Sequence, residues 1–191
     1  SASGSLNPEG ASDFSLSLAA KGGGVPLSFG TDESPIDISV ASASVRVLGD
    51  GREPALDIAA LLPSVATNVA KLSNLELALH SDGFNITTRT GPFEGTAKAS
   101  SLTIDNPTIA PLVAGVVSAG LKGRLAGDTI TVDAGSLISD AMDGSFGGTV
   151  SLADGAITLD LKADVLAAAL PPAAAPLLGE RVAVTTNLSR D

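Results

Sequence analysis

The chain reads as mainly β: an antiparallel curled sheet, or β-groove, built from strand–short helix–strand repeats, with about three short helices covering an end or edge. Three observations lead to that class. Apolar and polar residues alternate with period two over most of the length. Asp-Gly and Gly-Asp pairs punctuate the alternation where hairpins need turns. One phrase recurs three times, an alternating strand, a proline-started small-residue helix and a second alternating strand, as expected of a repeat architecture.

Residues 1–12 read as a linker or tag remnant, because Ser1-Ala2-Ser3-Gly4-Ser5 carries no periodic pattern. The remainder, 13–191, reads as a single β-rich module with sub-repeats 34–105 and 106–191. The expectation is an excised internal segment of a longer chain. Phe14, Leu16 and Leu18 alternate with serines, and Lys21-Gly22-Gly23-Gly24 reads as a hairpin tip. Ile36, Ile38 and Val40 lie on one phase while Val45 and Val47 lie on the other, which predicts a β-bulge near Ala41 to Ala43. Leu56 to Ala60 is followed by a first expected helix from Pro63 to Leu72, then by a strand through Leu75, Leu77 and Leu79. Ser81-Asp82-Gly83 predicts a hairpin turn into Phe84 and Ile86. Ala97 and Ala99 precede Leu102 and Ile104 with another slip of phase.

Asn106 and Pro107 predict the cap and first position of a second helix to about Val117. Leu121 to Leu125, Ile130 to Val132, Phe146 to Leu152 and Ile157 to Leu161 then form a meander, with turns expected at Gly127-Asp128, Asp143-Gly144 and Asp154-Gly155. A third helix is expected from Val165 to about Leu178, broken by Pro171 and closed at Gly179, before a last strand from Val182 to Leu188.

Composition narrows the function. The 191 residues include no Cys, Trp or Tyr and only five Phe, so the apolar rows are built from Leu, Ile, Val and Ala. A net charge of −10 opposes binding to nucleic acid or to an anionic membrane face, both of which need a basic footprint. No run of 18 or more apolar residues marks a membrane-spanning helix.

No residue pattern marks catalysis or a cofactor. The lone His80 has no marked partner and reads as a surface residue. Without Cys, one His cannot build a zinc site. Asp140, Asp143 and Asp154 beside glycines fit turn chemistry better than calcium binding. Asp32-Glu33 and the scattered glutamates lack the aromatic platforms of a sugar-cleaving site. The glycines after Lys21 lack the Gly-Lys-Ser/Thr order of a phosphate loop. The expectation is no enzyme, no cofactor and no metal.

Two runs suggest a family. Gly120-Leu121-Lys122-Gly123-Arg124-Leu125-Ala126-Gly127-Asp128-Thr129-Ile130-Thr131-Val132 and the stretch from Gly147 to Leu161 resemble the β-rich body of the TamB and AsmA-like envelope proteins of Gram-negative bacteria. The resemblance covers about the last 75 residues best and extends more loosely over Ser34 to Asn106, and the expected helices depart from it. It implies a periplasmic segment of an inner-membrane-anchored protein in outer-membrane biogenesis. It also implies contact with phospholipid acyl chains, and with an Omp85-type outer-membrane barrel through other parts of the full-length protein. No catalytic residue comes with it. The candidate groove lining is Leu121, Leu125, Ile130, Val132, Val150, Leu152, Ile157, Leu159 and Leu161. Alternation alone does not distinguish an open groove from a closed core covered by the helices. A structural β-repeat module of an adhesin or spacer is the alternative function; an enzyme acting on polysaccharide is a more distant third.

Overall fold

The structure, a computed structural model, describes residues 1–7, 9–31, 34–85, 87–170 and 179–190. Its strands are β1 (Ala2–Ser5), β2 (Ala11–Ala19), β3 (Val25–Thr31), β4 (Ser34–Val40), β5 (Ser42–Asp50), β6 (Ala55–Thr67) and β7 (Ala70–Asp82). There follow β8 (Thr90–Ala99), β9 (Ser101–Ile104), β10 (Val117–Ala126), β11 (Thr129–Ile138), β12 (Met142–Ser151), β13 (Ile157–Leu166) and β14 (Arg181–Arg190). All fourteen belong to one curled, unclosed antiparallel sheet whose main path runs β1-β2-β5-β6-β7-β8-β10-β11-β12-β13-β14. β3, β4 and β9 extend it to one side, with β4 on β6 and β9 on β7.

The helices are the main correction to the sequence reading. Pro63 to Leu72 is no helix: it holds the end of β6, a tight connection through Asn68 and Val69, and the start of β7. The second expected helix shrinks to a 3-10 turn, Ala110–Leu112. The cap also differs: the turn begins after Ile109, which offers no side-chain cap, while Asn106 Oδ1 closes the preceding turn by accepting the N–H groups of Thr108 and Ile109 at 3.0 and 3.2 Å. Of the third, Val165 and Leu166 finish β13 and Ala167–Ala169 form a 3-10 turn; Pro171 to Leu178 lie outside the described residues. Short runs of Ala, Val and Leu are ambiguous by periodicity, and here the partner strands decide. The stretch read as a linker contributes β1, paired to β2 from Ala2↔Leu16 to Ser5↔Asp13.

Pro63 sits in a central strand without breaking it because it lies on a crease. Ser39↔Ser64 and Ser42↔Leu61 lie three residues apart on both strands, so no residue is inserted. The same holds for Ser73↔Ser101 and Glu76↔Lys98 on the far side. Between them, Val40, Pro63, Asn74 and Ser100 fall on one line across the sheet. Neither the β5 nor the β7 ladder pairs Pro63, so its missing N–H costs no ladder bond there. Asn74 takes φ +47°, a left-handed conformation Asn tolerates, and its side-chain amide donates to Ser100 Oγ at 3.1 Å. The phase of the apolar residues slips at this line in every strand that crosses it. The bulge expected near Ala41 to Ala43 is therefore part of a crease shared by several strands. Beyond it, Leu27, Ile38, Val65, Leu72 and Leu102 line up as one row.

A true bulge occurs in β11: Asp133 is the extra residue facing β10, where Ala134 pairs with Lys122, and Asp133 and Ala134 together face the single Gly147 of β12. It keeps Ile130 and Val132 in step with Gly135 and Leu137, and lets Asp133 reach Arg124 at 3.4 Å. Two expected turns stand: Gly127 adopts φ +62° after β10, and Asp154 Oδ1 accepts the Ala156 N–H ahead of β13. Asp143-Gly144 instead lies inside β12, and the chain turns at Ser139, whose Oγ accepts the N–H groups of Ala141 and Met142. The β7–β8 connection turns later than expected, around an Asn85↔Thr90 bridge; Ile86 lies outside the described residues.

This arrangement is one layer thick. The chain exposes 11726 Å², whereas a compact protein of 18.8 kDa exposes about 8,300 Å². The closest approach to a core lies at one end of the sheet, where Val113, Val117, Ala141, Val165 and Ala167 are buried. The Ser139 hydroxyl ties that end together by donating to the Leu112 carbonyl.

Candidate functional site

Register converts the alternation into continuous transverse rows. One runs Leu18–Ala43–Ala60–Leu77–Ala97–Ala119–Leu137–Gly144–Ala163–Val184 through ten successive strands. The next runs Leu16–Val45–Ile58–Leu79–Gly95–Leu121–Gly135–Phe146–Leu161–Thr186. Nearly every position is aliphatic, aromatic or glycine. Each side chain is shielded by its neighbours in the row, yet Ile58 stays 39 %, Leu77 36 % and Leu79 41 % exposed. Among the described residues no second layer of strands or helices covers this face.

The nine candidate lining residues distribute over this surface. Leu121 and Leu161 lie in the second row. Val132 and Leu159 lie in a third, on either side of Gly148. Leu125, Ile130, Val150 and Ile157 form a fourth. Leu152 stands apart: it follows the end of β12, is 57 % exposed, and its N–H bonds the Asp128 carbonyl. A hollow of about 410 Å³ lies further toward the N-terminal strands, lined by Ile58, Leu77, Leu79, Leu121 and Phe146 among others. Only Leu121 of the nine reaches it. The others that line it carry the same alternation in sequence, but which strands lie side by side is a property of pairing that one chain's periodicity does not encode.

Phe146 owes its position to a glycine. A Cβ at Gly135, its cross-strand partner, would fall 2.4 Å from the ring. The ring thus covers the strand where a side chain is missing, a cross-strand aromatic–glycine pair. Phe93 and Gly123 repeat the arrangement.

The opposite face is polar. Arg46, Asp57, His80, Glu94 and Lys122 stand in one row on five adjacent strands, so the sign of charge alternates once His80 is protonated. His80 Nδ1 lies 2.7 Å from Asp57 Oδ1 and its Nε2 lies 2.8 Å from Asp82 Oδ1. Ionised carboxylates only accept, so both bonds form together only when the imidazole carries two protons. The hydrogen bonds to Asp57 and Asp82 raise the His80 pKa above its ordinary 6.5. Lys122 Nζ completes the row at 3.8 Å from Glu94. The sequence marked no partner for His80, because Asp57 reaches it across a register that only pairing reveals.

This predicts a pH dependence. The protonated histidine's contribution is complete below its ordinary pKa of 6.5 and is lost as pH rises through the raised folded value. The urea midpoint is expected to fall as pH rises through that window, and His80→Gln is expected to flatten this part of the profile. The effect is small, because exposed ion pairs contribute little.

Among the described residues no group of three or more His, Cys, Asp or Glu is placed to hold a metal ion. No protein-family model, curated protein or solved structure matches the chain.

Proposed function

We propose that this chain is a non-enzymatic periplasmic segment of a TamB/AsmA-like protein that offers its apolar face to phospholipid acyl chains during outer-membrane biogenesis. The observation that carries the reading is the uncovered apolar face, with rows that continue across ten strands. Uncovered apolar surface on this scale marks an interaction site. With strands about 4.8 Å apart, a ten-strand row is roughly 43 Å long. A lipid tail spans about 15 Å, half the hydrocarbon thickness of a bilayer. One row therefore has room for a whole tail. The net charge of −10 keeps the polar face from adhering to anionic headgroups, so a tail can enter and leave without electrostatic trapping. The family resemblance in the last third of the chain favours the same role.

The test is native mass spectrometry of the purified chain before and after incubation with phospholipid vesicles, with extraction and identification of anything retained. Stoichiometric, exchangeable phospholipid is the expected result. A lipid-free protein that takes up none favours a structural module of an adhesin or spacer.

A further inference from the structure

The hollow on the apolar face has a direction. Its floor includes Gly95 and Ala97 of β8. Gly95 pairs with Leu79 on one neighbouring strand and with Leu121 on the other, and both leucines line the hollow as its walls. With strands about 4.8 Å apart, β7 and β10 stand about 9.6 Å from each other across β8. Carbon atoms pack at about 3.5–4.0 Å, so one hydrocarbon chain needs about 8 Å between its walls and a second does not fit beside it. A tail can lie across the strands or along one, and leucines on both sides of Gly95 favour the second.

The two ends of β8 differ. Toward its last residue the way is closed: Ala99 is 1 % exposed and its partner Val117 is buried. Toward its first residue the strand runs past two rings, Phe93 over Gly123 and Phe84 against Gly91, to the hairpin turns. The ladder to β10 continues one step beyond Thr90, since the Gly127 N–H donates to the Arg89 carbonyl at 3.1 Å. Arg89 therefore extends the line of β8 to the rim. It takes φ +52°, a conformation that glycine or asparagine adopts more readily, so the turn itself does not call for arginine. Its side chain is 68 % exposed; Nη1 donates to Asp128 Oδ1 at 3.1 Å, and the other guanidinium N–H groups remain open to an anion.

We propose that the hollow seats one phospholipid tail lengthwise on β8, its methyl end at Ala99, with the phosphate held by Arg89 at the rim. This rests on the lipid-binding reading and deepens it to a stoichiometry, a direction and a headgroup contact. From Phe93 to Ala99 the strand rises about 20 Å, enough for a tail of about 15 Å. Charge complementarity selects the occupant: an apolar furrow in line with a cation fits an anionic amphiphile. A guanidinium that gives one N–H to a carboxylate can still offer others to phosphate.

Native mass spectrometry tests it with phosphatidylglycerol and with diacylglycerol of the same tails, each dispersed in the same nonionic detergent, and circular dichroism confirms folding of each variant. The wild type is expected to retain one phospholipid per chain. Gly95→Leu fills the furrow and is expected to weaken retention of both lipids roughly tenfold or more. The fold has room for it, since the nearest atoms to a Cβ there are Leu79 Cδ1 at 3.4 Å and the Ala78 carbonyl oxygen at 3.6 Å. Ala43→Leu adds bulk on the apolar face outside the hollow and is expected to leave retention unchanged. Arg89→Gln is expected to weaken phosphatidylglycerol roughly tenfold and to leave diacylglycerol unchanged. A wild type that retains neither lipid overturns the lipid-binding reading and this proposal with it. Retention that survives Gly95→Leu, or falls equally with Ala43→Leu, leaves that reading standing and overturns the seat on β8. Phosphatidylglycerol retention indifferent to Arg89→Gln overturns the headgroup contact.

Discussion

Gly148→Val is expected to lower unfolding stability by about 3 kcal/mol or more, from backbone strain and overpacking together. Gly148 lies within β12 at φ +150°, a conformation that side chains rarely adopt. A Cβ there would fall 2.0 Å from the Thr158 carbonyl oxygen, which is backbone and cannot swing aside. The β12–β13 ladder must therefore open where Gly148 pairs with Leu159. A domain has only about 5–15 kcal/mol in total, so the loss is a large share. Gly147→Ala is the control: one residue earlier, the nearest atom to its Cβ would be 3.3 Å away, and about 1 kcal/mol or less is expected. Urea unfolding of the three proteins measures the difference.

Leu79→Asp combined with Leu121→Asp is expected to abolish phospholipid retention while leaving the fold intact. Both leucines line the hollow on the apolar face. Leu79 is 41 % exposed, so an aspartate there keeps its hydration in the free protein. A seated acyl chain would strip that hydration. Each methylene contact contributes about 0.8 kcal/mol to lipid burial, so losing even three or four along the chain weakens binding a hundredfold or more. The polar-face pair Ser44→Asp and Ser136→Asp introduces the same charge away from that hollow and is expected to leave retention unchanged. Native mass spectrometry of both double variants, with circular dichroism to verify folding, separates a specific apolar face from general surface charge.

The β class, the alternating strands and most of the meander were legible because a strand exposed on one face writes its pattern directly into the sequence. Leu75-Glu76-Leu77-Ala78-Leu79 needs no neighbour to be recognised. What the sequence concealed was pairing. Pro63 looked like a helix start because proline is rare inside a central strand; the crease that accommodates it is assembled with Val40, Asn74 and Ser100, which lie far away in sequence or on neighbouring strands. Asp143-Gly144 looked like a turn because the dipeptide favours one, but Gly144 is needed in the ladder, between Leu137 and Ala163. The phase slip in β11 hid a bulge. The site was half visible: Leu121 and its C-terminal companions were identifiable, while Ile58, Leu77 and Leu79 join them only through register.

The account stands on an apolar face that is open to solvent and able to accept a lipid tail. The chain has no native cysteine, so one thiol can be placed at a time. Rates of maleimide labelling of Leu79→Cys on the apolar face and Ser44→Cys on the polar face, each with and without phospholipid vesicles, test it most directly. The predicted result is rapid labelling of both in the lipid-free protein, and strong protection by phospholipid of Leu79→Cys alone. Slow labelling of Leu79→Cys without lipid would mean a covered core, and equal labelling with and without phospholipid would mean a face that takes no lipid; either contradicts the account.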